Sequence, residues 1–383
     1  MSDPDAGGKG GAGSGGAAGT AGNAGAGGVK SDGSPGTGGD ASSDAKAEAS
    51  SDARTEASSD ARAEASADAG SVTVRQVAAG WIHTCALLSN GAVRCWGTNS
   101  AGQLGYGHTN RIGDDERPAS AGNVNVGGAV QQIAAGAYHT CALLTNGTVR
   151  CWGHGGALLG YGHSNNIGDD EVPATAGNVN VGGTVKQITA GLGQTCALLT
   201  TGAVRCWGTG AALGYGTTMA VGDDETPASV GEVDVGGTVQ QISAGTEHTC
   251  AVLTSGAVRC WGSNVNGVLG LGHTETVGDN ETPAMVPAVN VGGAVQQIAA
   301  GQLHTCALLT TGNVRCWGSG GIGRLGYANT AAIGDDEAPA SAGDVDLGGL
   351  AQQIAVSTYA TCALLTDGAV RCWGMGWTLG YGN

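Results

Sequence analysis

The sequence predicts an all-β fold, a β-propeller of stacked blades behind a low-complexity tail, and three observations carry that prediction. One segment, Gly-x-x-His-Thr-Cys-Ala-Leu-Leu-x-x-Gly-x-Val-Arg-Cys-Trp-Gly, recurs six times with small changes in a chain of 383 residues. A unit of about 55 residues repeated in this way cannot bury its own apolar faces and must stack on its neighbours. Each copy holds short aliphatic and β-branched runs around a glycine turn, with no helix signal between copies. Glycine supplies 74 residues and phenylalanine none, the composition of turn-rich β structure rather than of a helical bundle.

Taken in order, residues 1–70 read as a disordered tether and residues 71–383 as the propeller. Residues 1–40 are almost entirely Gly, Ala, Ser, Asp and Asn, which cannot offset chain entropy by burial. From Ser42 an octad, Ser-Ser-Asp-Ala-Lys-Ala-Glu-Ala, repeats with small changes as Ser50 to Ala57 and Ser58 to Ala65. Ala, Glu and Lys favour helix, but no large apolar residue is present to pack one, so the octads make at best a marginal, solvated helix. The start, Met1-Ser2-Asp3-Pro4, carries no basic or apolar export signal, and no apolar run is long enough to span a bilayer.

Each repeat opens with a strand such as Val130-Gln131-Gln132-Ile133 and continues into a hairpin. In the first copy Thr84 to Leu88 and Ala92 to Trp96 flank Ser89-Asn90-Gly91, a three-residue loop that ends in the left-handed region glycine reaches at least cost. With that loop Leu88 faces Ala92, and counting back places Cys85 opposite Cys95, at roughly 4.5–5.5 Å between Cα atoms. The same arithmetic pairs Cys141 with Cys151, Cys196 with Cys206, Cys250 with Cys260, Cys306 with Cys316 and Cys362 with Cys372, which uses every cysteine. We expect six cross-strand disulfides rather than buried free thiols, because unpaired core thiols have no reason to face each other. Zinc is disfavoured, since no Cys-x-x-Cys occurs and two sulfurs do not complete a tetrahedral shell. After the hairpin come a glycine-rich loop ending Leu-Gly-Tyr-Gly, an acidic turn, and a short run such as Val124-Asn125-Val126 that leads to the next unit.

Residues 74–383 resemble the repeats of the regulator of chromosome condensation family. Gly80-Trp81-Ile82-His83-Thr84, Cys95-Trp96-Gly97 and Gly102-Gln103-Leu104-Gly105-Tyr106-Gly107 carry the resemblance in the first copy; later copies keep Trp-Gly and Leu-Gly and lose Gly-Gln. The resemblance implies a propeller, usually of seven blades, and this chain shows six hairpins. The sixth stops at Gly380-Tyr381-Gly382-Asn383, without an acidic turn. Either the ring closes with six blades, the last one incomplete, or a closing element is missing. Ser71 to Val77 is the natural segment to pair near the C-terminal blade.

No nucleophile, base and orienting acid recur as a set, so no catalytic residue is assigned. His83, His139, His248 and His304 precede the first cysteine in four copies, but Gln194 and Ala360 interrupt the ring, which favours hydrogen bonding over metal binding. The acidic turns Asp114-Asp115-Glu116, Asp169-Asp170-Glu171, Asp223-Asp224-Glu225, Asp279-Asn280-Glu281 and Asp335-Asp336-Glu337 are the calcium candidates, although none has the alternating spacing of an EF-hand loop. No other cofactor is expected. The loops between Trp-Gly and Leu-Gly differ most between copies and look like display positions.

A net charge of −16 argues against a nucleic-acid surface. Disulfides point to an oxidising compartment, hence an extracellular or cell-surface location. The reading that follows is a monomeric, non-enzymatic, bacterial-type propeller that binds another protein or a surface polymer. Guanine-nucleotide exchange on a small GTPase, which the resemblance implies, is the alternative, and a glycan-processing propeller enzyme is a further one.

Overall fold

The structure, a computed structural model, describes residues 72–376 and Leu379. The tether expected over residues 1–70, with its octads, and the terminal Gly380-Tyr381-Gly382-Asn383 lie outside the described residues. Among those described, the chain forms six three-stranded antiparallel sheets, the blades of a propeller. Blade 1 is β1 (Val74–Ala79), β2 (His83–Leu88) and β3 (Val93–Gly97); blade 2 is β4 (Val130–Ala135), β5 (His139–Leu144) and β6 (Val149–Gly153). Blade 3 is β7 (Val185–Ala190), β8 (Gln194–Leu199) and β9 (Val204–Gly208); blade 4 is β10 (Val239–Ala244), β11 (His248–Leu253) and β12 (Val258–Gly262). Blade 5 is β13 (Val295–Ala300), β14 (His304–Leu309) and β15 (Val314–Gly318); blade 6 is β16 (Ala351–Val356), β17 (Ala360–Leu365) and β18 (Val370–Gly374). Each blade is a meander in chain order, and the ends of the first strands line the axis.

The hairpin register is the one the cysteine spacing requires. Leu88 N–H donates to the Ala92 carbonyl at 2.8 Å, and Gly91 sits at φ +80°. Cys85 stands opposite Cys95, as Cys141 does Cys151 and Cys362 does Cys372, and all six pairs are disulfide-bonded. Their Cα atoms are 4.0–4.1 Å apart, closer than the expected spacing. Alternation from the hairpin-closing bond puts each cystine at a non-hydrogen-bonded pair, the narrow site of an antiparallel ladder. The Cys95 N–H and C=O accordingly turn outward, and both meet the Tyr106 hydroxyl at 3.2 Å. Tyr161 and Tyr215 do the same for Cys151 and Cys206. The Tyr of Leu-Gly-Tyr-Gly therefore satisfies the outer strand where no neighbouring strand pairs with it.

Two polar contacts join consecutive blades. A bulge in the first strand, between Val130 and Gln132 in blade 2, turns a glutamine toward the next blade. Gln132 donates to the Ile188 carbonyl at 2.9 Å and accepts from the Ile188 N–H at 2.9 Å. Gln76, Gln187, Gln241 and Gln297 hold Ile133, Ile242, Ile298 and Ile354 in the same bidentate way. On the second strand, His83, His139, His248 and His304 place Nε2 at 2.7–2.9 Å from the hydroxyl of Thr140, Thr195, Thr305 and Thr361 of the following blade. The cystines lie on the same side, Cys85 Sγ being 3.8 Å from the Thr140 hydroxyl, so five of the six are sealed between blades.

The outer edge differs from the last short strand that the return run suggests. Val124 and Ile112 make only isolated bridges to Val93 and Gly97, flanking the tyrosine hydroxyl. Blade 6 has no such cover among the described residues, and Val370 is 55% exposed where Val93 and Val149 are at 0%. The assignment of Ser71 to Val77 to the C-terminal blade is corrected: Val74–Ala79 is β1, paired with β2. Its Val-x-Gln-Val pattern carries the same bulge as every first strand, and that fixes its partner as its own hairpin. Among the described residues, no strand ladder or hydrogen bond joins blade 6 to blade 1.

Candidate functional site

In four of the six blades the turn from first to second strand follows Gly-x-x-His, and the geometry explains the glycine. The His83 ring folds back over Gly80, so that a Cβ there would lie 2.8 Å from Nδ1 and would also strike the Gly136 carbonyl of blade 2. Gly136 stands in the same relation to His139 and Gly191. The constant residues thus seal the blade junction, and the two variable residues between them are pushed outward around the axis.

Those outward residues are Trp81-Ile82, Ala137-Tyr138, Leu192-Gly193, Thr246-Glu247, Gln302-Leu303 and Thr358-Tyr359. The first residue of each pair, together with Tyr359, lines an axial cavity of about 600 Å³ whose walls are mostly Ala and Gly from all six blades. Among the described residues no Asp, Glu, His, Lys, Arg or Cys lines it, and Ser357 is hydrogen-bonded to Ala360 with no base beside it. Trp81, Ile82, Tyr138 and Tyr359 are exposed, and Trp81 packs edge-on against Tyr138 with ring centroids 6.1 Å apart. These aromatic positions come from blades 6, 1 and 2, so the apolar sector is off-centre. Sequence reasoning missed it, although the variation within Gly-x-x-His was visible.

The loops after Trp-Gly open on the same face, since Thr98, His154, Ser263 and Ser319 donate backbone N–H to Ile82, Tyr138, Glu247 and Leu303. They are less free than their sequence differences imply. Asn99 is buried and holds the carbonyls of His108 and Asn110 and the N–H of Leu104, and Asn264 does the same for His273 and Leu269. What these loops display is Val265 and Ile322, both exposed. One face therefore collects six exposed apolar side chains.

The acidic turns stand outside this patch at the Gly97 end of blades 1 to 5, because Ile112, bridged to Gly97, leads directly into Gly113-Asp114, and its counterparts do the same. In four of them, Asp114-Asp115-Glu116, Asp169-Asp170-Glu171, Asp223-Asp224-Glu225 and Asp335-Asp336-Glu337, the three carboxylates bring one oxygen each within 4.8 Å of the others. Asp279 and Glu281 flank Asn280 in the fifth. Burial and the neighbouring carboxylates raise the Glu171 and Glu337 carboxyls, and a hydrogen bond with Asp224 raises Glu225. In the first turn Asp115 is raised and Glu116 lowered by the hydrogen bond they share. The turns also brace the blades, because Gly107, Gly162 and Gly272 donate backbone N–H to Gly168, Gly222 and Gly334 and so clasp each glycine loop to the next blade's turn. Clustering is the sole observation that bears on calcium here.

The four histidines are each committed to a separate threonine and do not converge on one ion. Burial lowers His83 and His248 to about 4 and His139 and His304 to about 3. Thr140 donates its own proton to the Gln103 carbonyl, so its oxygen accepts from His83 Nε2–H, and the ring is the neutral Nε2 tautomer. No helix among the described residues is long and apolar enough to cross a membrane.

Two models of the regulator of chromosome condensation (RCC1) repeat match, one at residues 74–103, 130–157, 239–268, 295–322 and 351–376, the other at 90–143 and 255–308. The chain is similar to the ultraviolet-B receptor UVR8 of Arabidopsis thaliana, 29% identical over 263 residues, 68% of this chain and 56% of the receptor. It is also similar to the probable E3 ubiquitin-protein ligase HERC6 of Homo sapiens, 30% identical over 305 residues, 79% of this chain and 28% of the ligase. The chain thus spans 56% of one relative and 28% of the other. The structure of Prp20p from Saccharomyces cerevisiae, reported with its binding properties to Gsp1p and histones, shares the fold. Its TM-score is 0.61 at 21% identity, covering 80% of this chain and 74% of that one.

Proposed function

The chain belongs to the regulator of chromosome condensation (RCC1) repeat family, and on that premise we propose that it is a non-catalytic binding propeller that takes a protein partner on the axial face. The observation that carries this reading is the gathering of Trp81, Ile82, Tyr138, Val265, Ile322 and Tyr359 on one face, with carboxylate turns at the Gly97 end of blades 1 to 5. Exposed aromatic anchors with a charged surround have the anatomy of a protein-binding surface. The partner that fits brings an apolar contact and a basic periphery. The cavity wall, mostly Ala and Gly with no charged or histidine side chain among the described residues, supports binding over catalysis.

Six buried or half-buried cystines support work in an oxidising compartment, outside the cell or at its surface, since the cytosol keeps such thiols reduced. That environment speaks against nucleotide exchange on a cytosolic GTPase. The test is retention of a surface protein from intact source cells on the immobilised full chain, comparing wild type with Trp81→Ala/Tyr138→Ala. Wild type should retain a partner that the double variant loses by at least tenfold, and high salt should weaken capture through the acidic surround. Equal recovery by both proteins, or retention of polysaccharide alone, overturns the reading.

A further inference from the structure

The loop that follows Trp317-Gly318 in blade 5 carries a backbone strain that the other exposed apolar residues of the axial face do not share. Three non-glycine residues stand at positive φ among the described residues: Asn266, Ile322 and Ala328. Ile322 lies at φ 62° and ψ 16°, where a side chain branched at Cβ is an outlier that persists only when its surroundings hold it. Its counterpart in the blade 4 loop is Asn266, at φ 59° and ψ 28°, and asparagine accepts that conformation at little cost. Ile322 is held from both sides. The Gly323 N–H donates to the Gly320 carbonyl at 3.1 Å and the Gly321 carbonyl accepts from Arg324 Nε at 3.0 Å, so the peptide units before and after Ile322 are both pinned. Arg324, at 7% exposure, also donates from Nη1 to the Thr358 carbonyl at 3.3 Å, and its own carbonyl accepts from the Thr361 hydroxyl at 3.1 Å. One guanidinium thereby ties the Ile322 loop to the turn that presents Tyr359. The other copies have Gln103, Leu158, Ala212 and Val268 at this position, so the arginine stands in the copy that puts isoleucine in the left-handed region.

We propose that Ile322 is a specificity-determining contact of the axial face, and that Arg324 is the positioning residue that keeps it in its strained backbone beside Tyr359. This rests on the axial face taking a protein partner, and it adds the shape that partner must have: an apolar recess for a branched aliphatic side chain, next to a flat apolar contact for Tyr359. Asparagine or glycine would relieve the strain, so isoleucine here costs the fold stability. Its side chain is 37% exposed, which leaves a substantial share of it for a partner to cover. Strain of this kind, held by a dedicated clamp on a binding face, fixes one side chain in place before the partner arrives and spares the complex the cost of ordering it.

Two measurements on the oxidised full chain test it together: urea unfolding, and retention of biotin-labelled surface protein from intact source cells on the immobilised chain. Ile322→Ala removes the side chain and keeps the strain, whereas Ile322→Asn, which copies Asn266, removes both. Ile322→Asn should therefore unfold at higher urea than Ile322→Ala, and both should retain about tenfold less partner than wild type. Arg324→Gln, which copies Gln103, should weaken retention by itself and have no further effect when combined with Ile322→Asn, because it acts through Ile322. The proposal is overturned if Ile322→Asn is no more stable than Ile322→Ala, if either variant retains partner like wild type, or if the losses in the double variant add. If wild type retains a partner that Trp81→Ala/Tyr138→Ala loses and Ile322→Asn keeps, the protein-binding reading stands and the role of Ile322 alone falls. If wild type retains nothing, both fall.

Discussion

Four histidines set how this fold responds to acid. His83, His139, His248 and His304 are neutral in the folded state and held at about 3 to 4, against 6.5 in an unfolded chain. The unfolded state therefore binds more protons in this window, so the stability they confer is complete above 6.5 and is lost as pH falls toward 4. One unit below 6.5 the loss is about 1.4 kcal/mol per histidine, or about 5–6 kcal/mol for all four. The crowded carboxyls of Glu171, Glu225 and Glu337 act in the opposite sense, but they are mostly solvated and screened. His139→Gln should flatten the pH dependence of urea unfolding between pH 7 and 5 by about a quarter, because the chain already uses Gln194 at this position. An unchanged slope contradicts the assignment. The interruption by Gln194 made the hydrogen-bonding role legible in the sequence. The partner was not legible, because Thr195 lies 56 positions from His139 and meets it only when blades stack.

At the scale of the element, the hairpin was the most legible part of the chain. A three-residue turn with Gly91 in the left-handed region fixes the register, and the register fixes the cystine. The bulged first strand was not legible, since Val-Gln-Gln-Ile shows polar residues without showing which way the bulge turns them. It makes the second glutamine the inter-blade clasp, so Gln187→Ala should cost about 1–3 kcal/mol by stranding the Ile242 N–H and C=O. Gln353→Ala, at a glutamine that clasps no isoleucine among the described residues, should leave the stability unchanged. Chemical denaturation of the two variants checks both, and an equal effect would refute the clasp. The loops read as display positions proved partly internal, because a buried Asn99 or Asn264 ties them down. Display passes instead to the residues between Gly and His.

For the molecule as a whole, the six-fold repeat fixed the class of fold and left its ends open. Repeat counting shows how many blades exist, whereas closure depends on whether the last forward face meets the first backward one. Among the described residues Val77 and Gln353 are exposed, and exposure rather than sequence pattern reveals it. The axial face was equally illegible as a surface, since Trp81, Tyr138 and Tyr359 are far apart in sequence and become neighbours only around the axis. The central claim is that each blade is its own cross-strand staple, worth about 2–3 kcal/mol, in a protein made for an oxidising compartment. Non-reducing peptide mapping of protein taken from its own source, with free thiols alkylated at lysis, tests it most directly. The account predicts six bridges, each closing a single repeat, with Cys362–Cys372 the first to yield to reductant because its cysteines are half-buried where the other ten are fully buried. Free thiols throughout, or bridges between repeats, would contradict it.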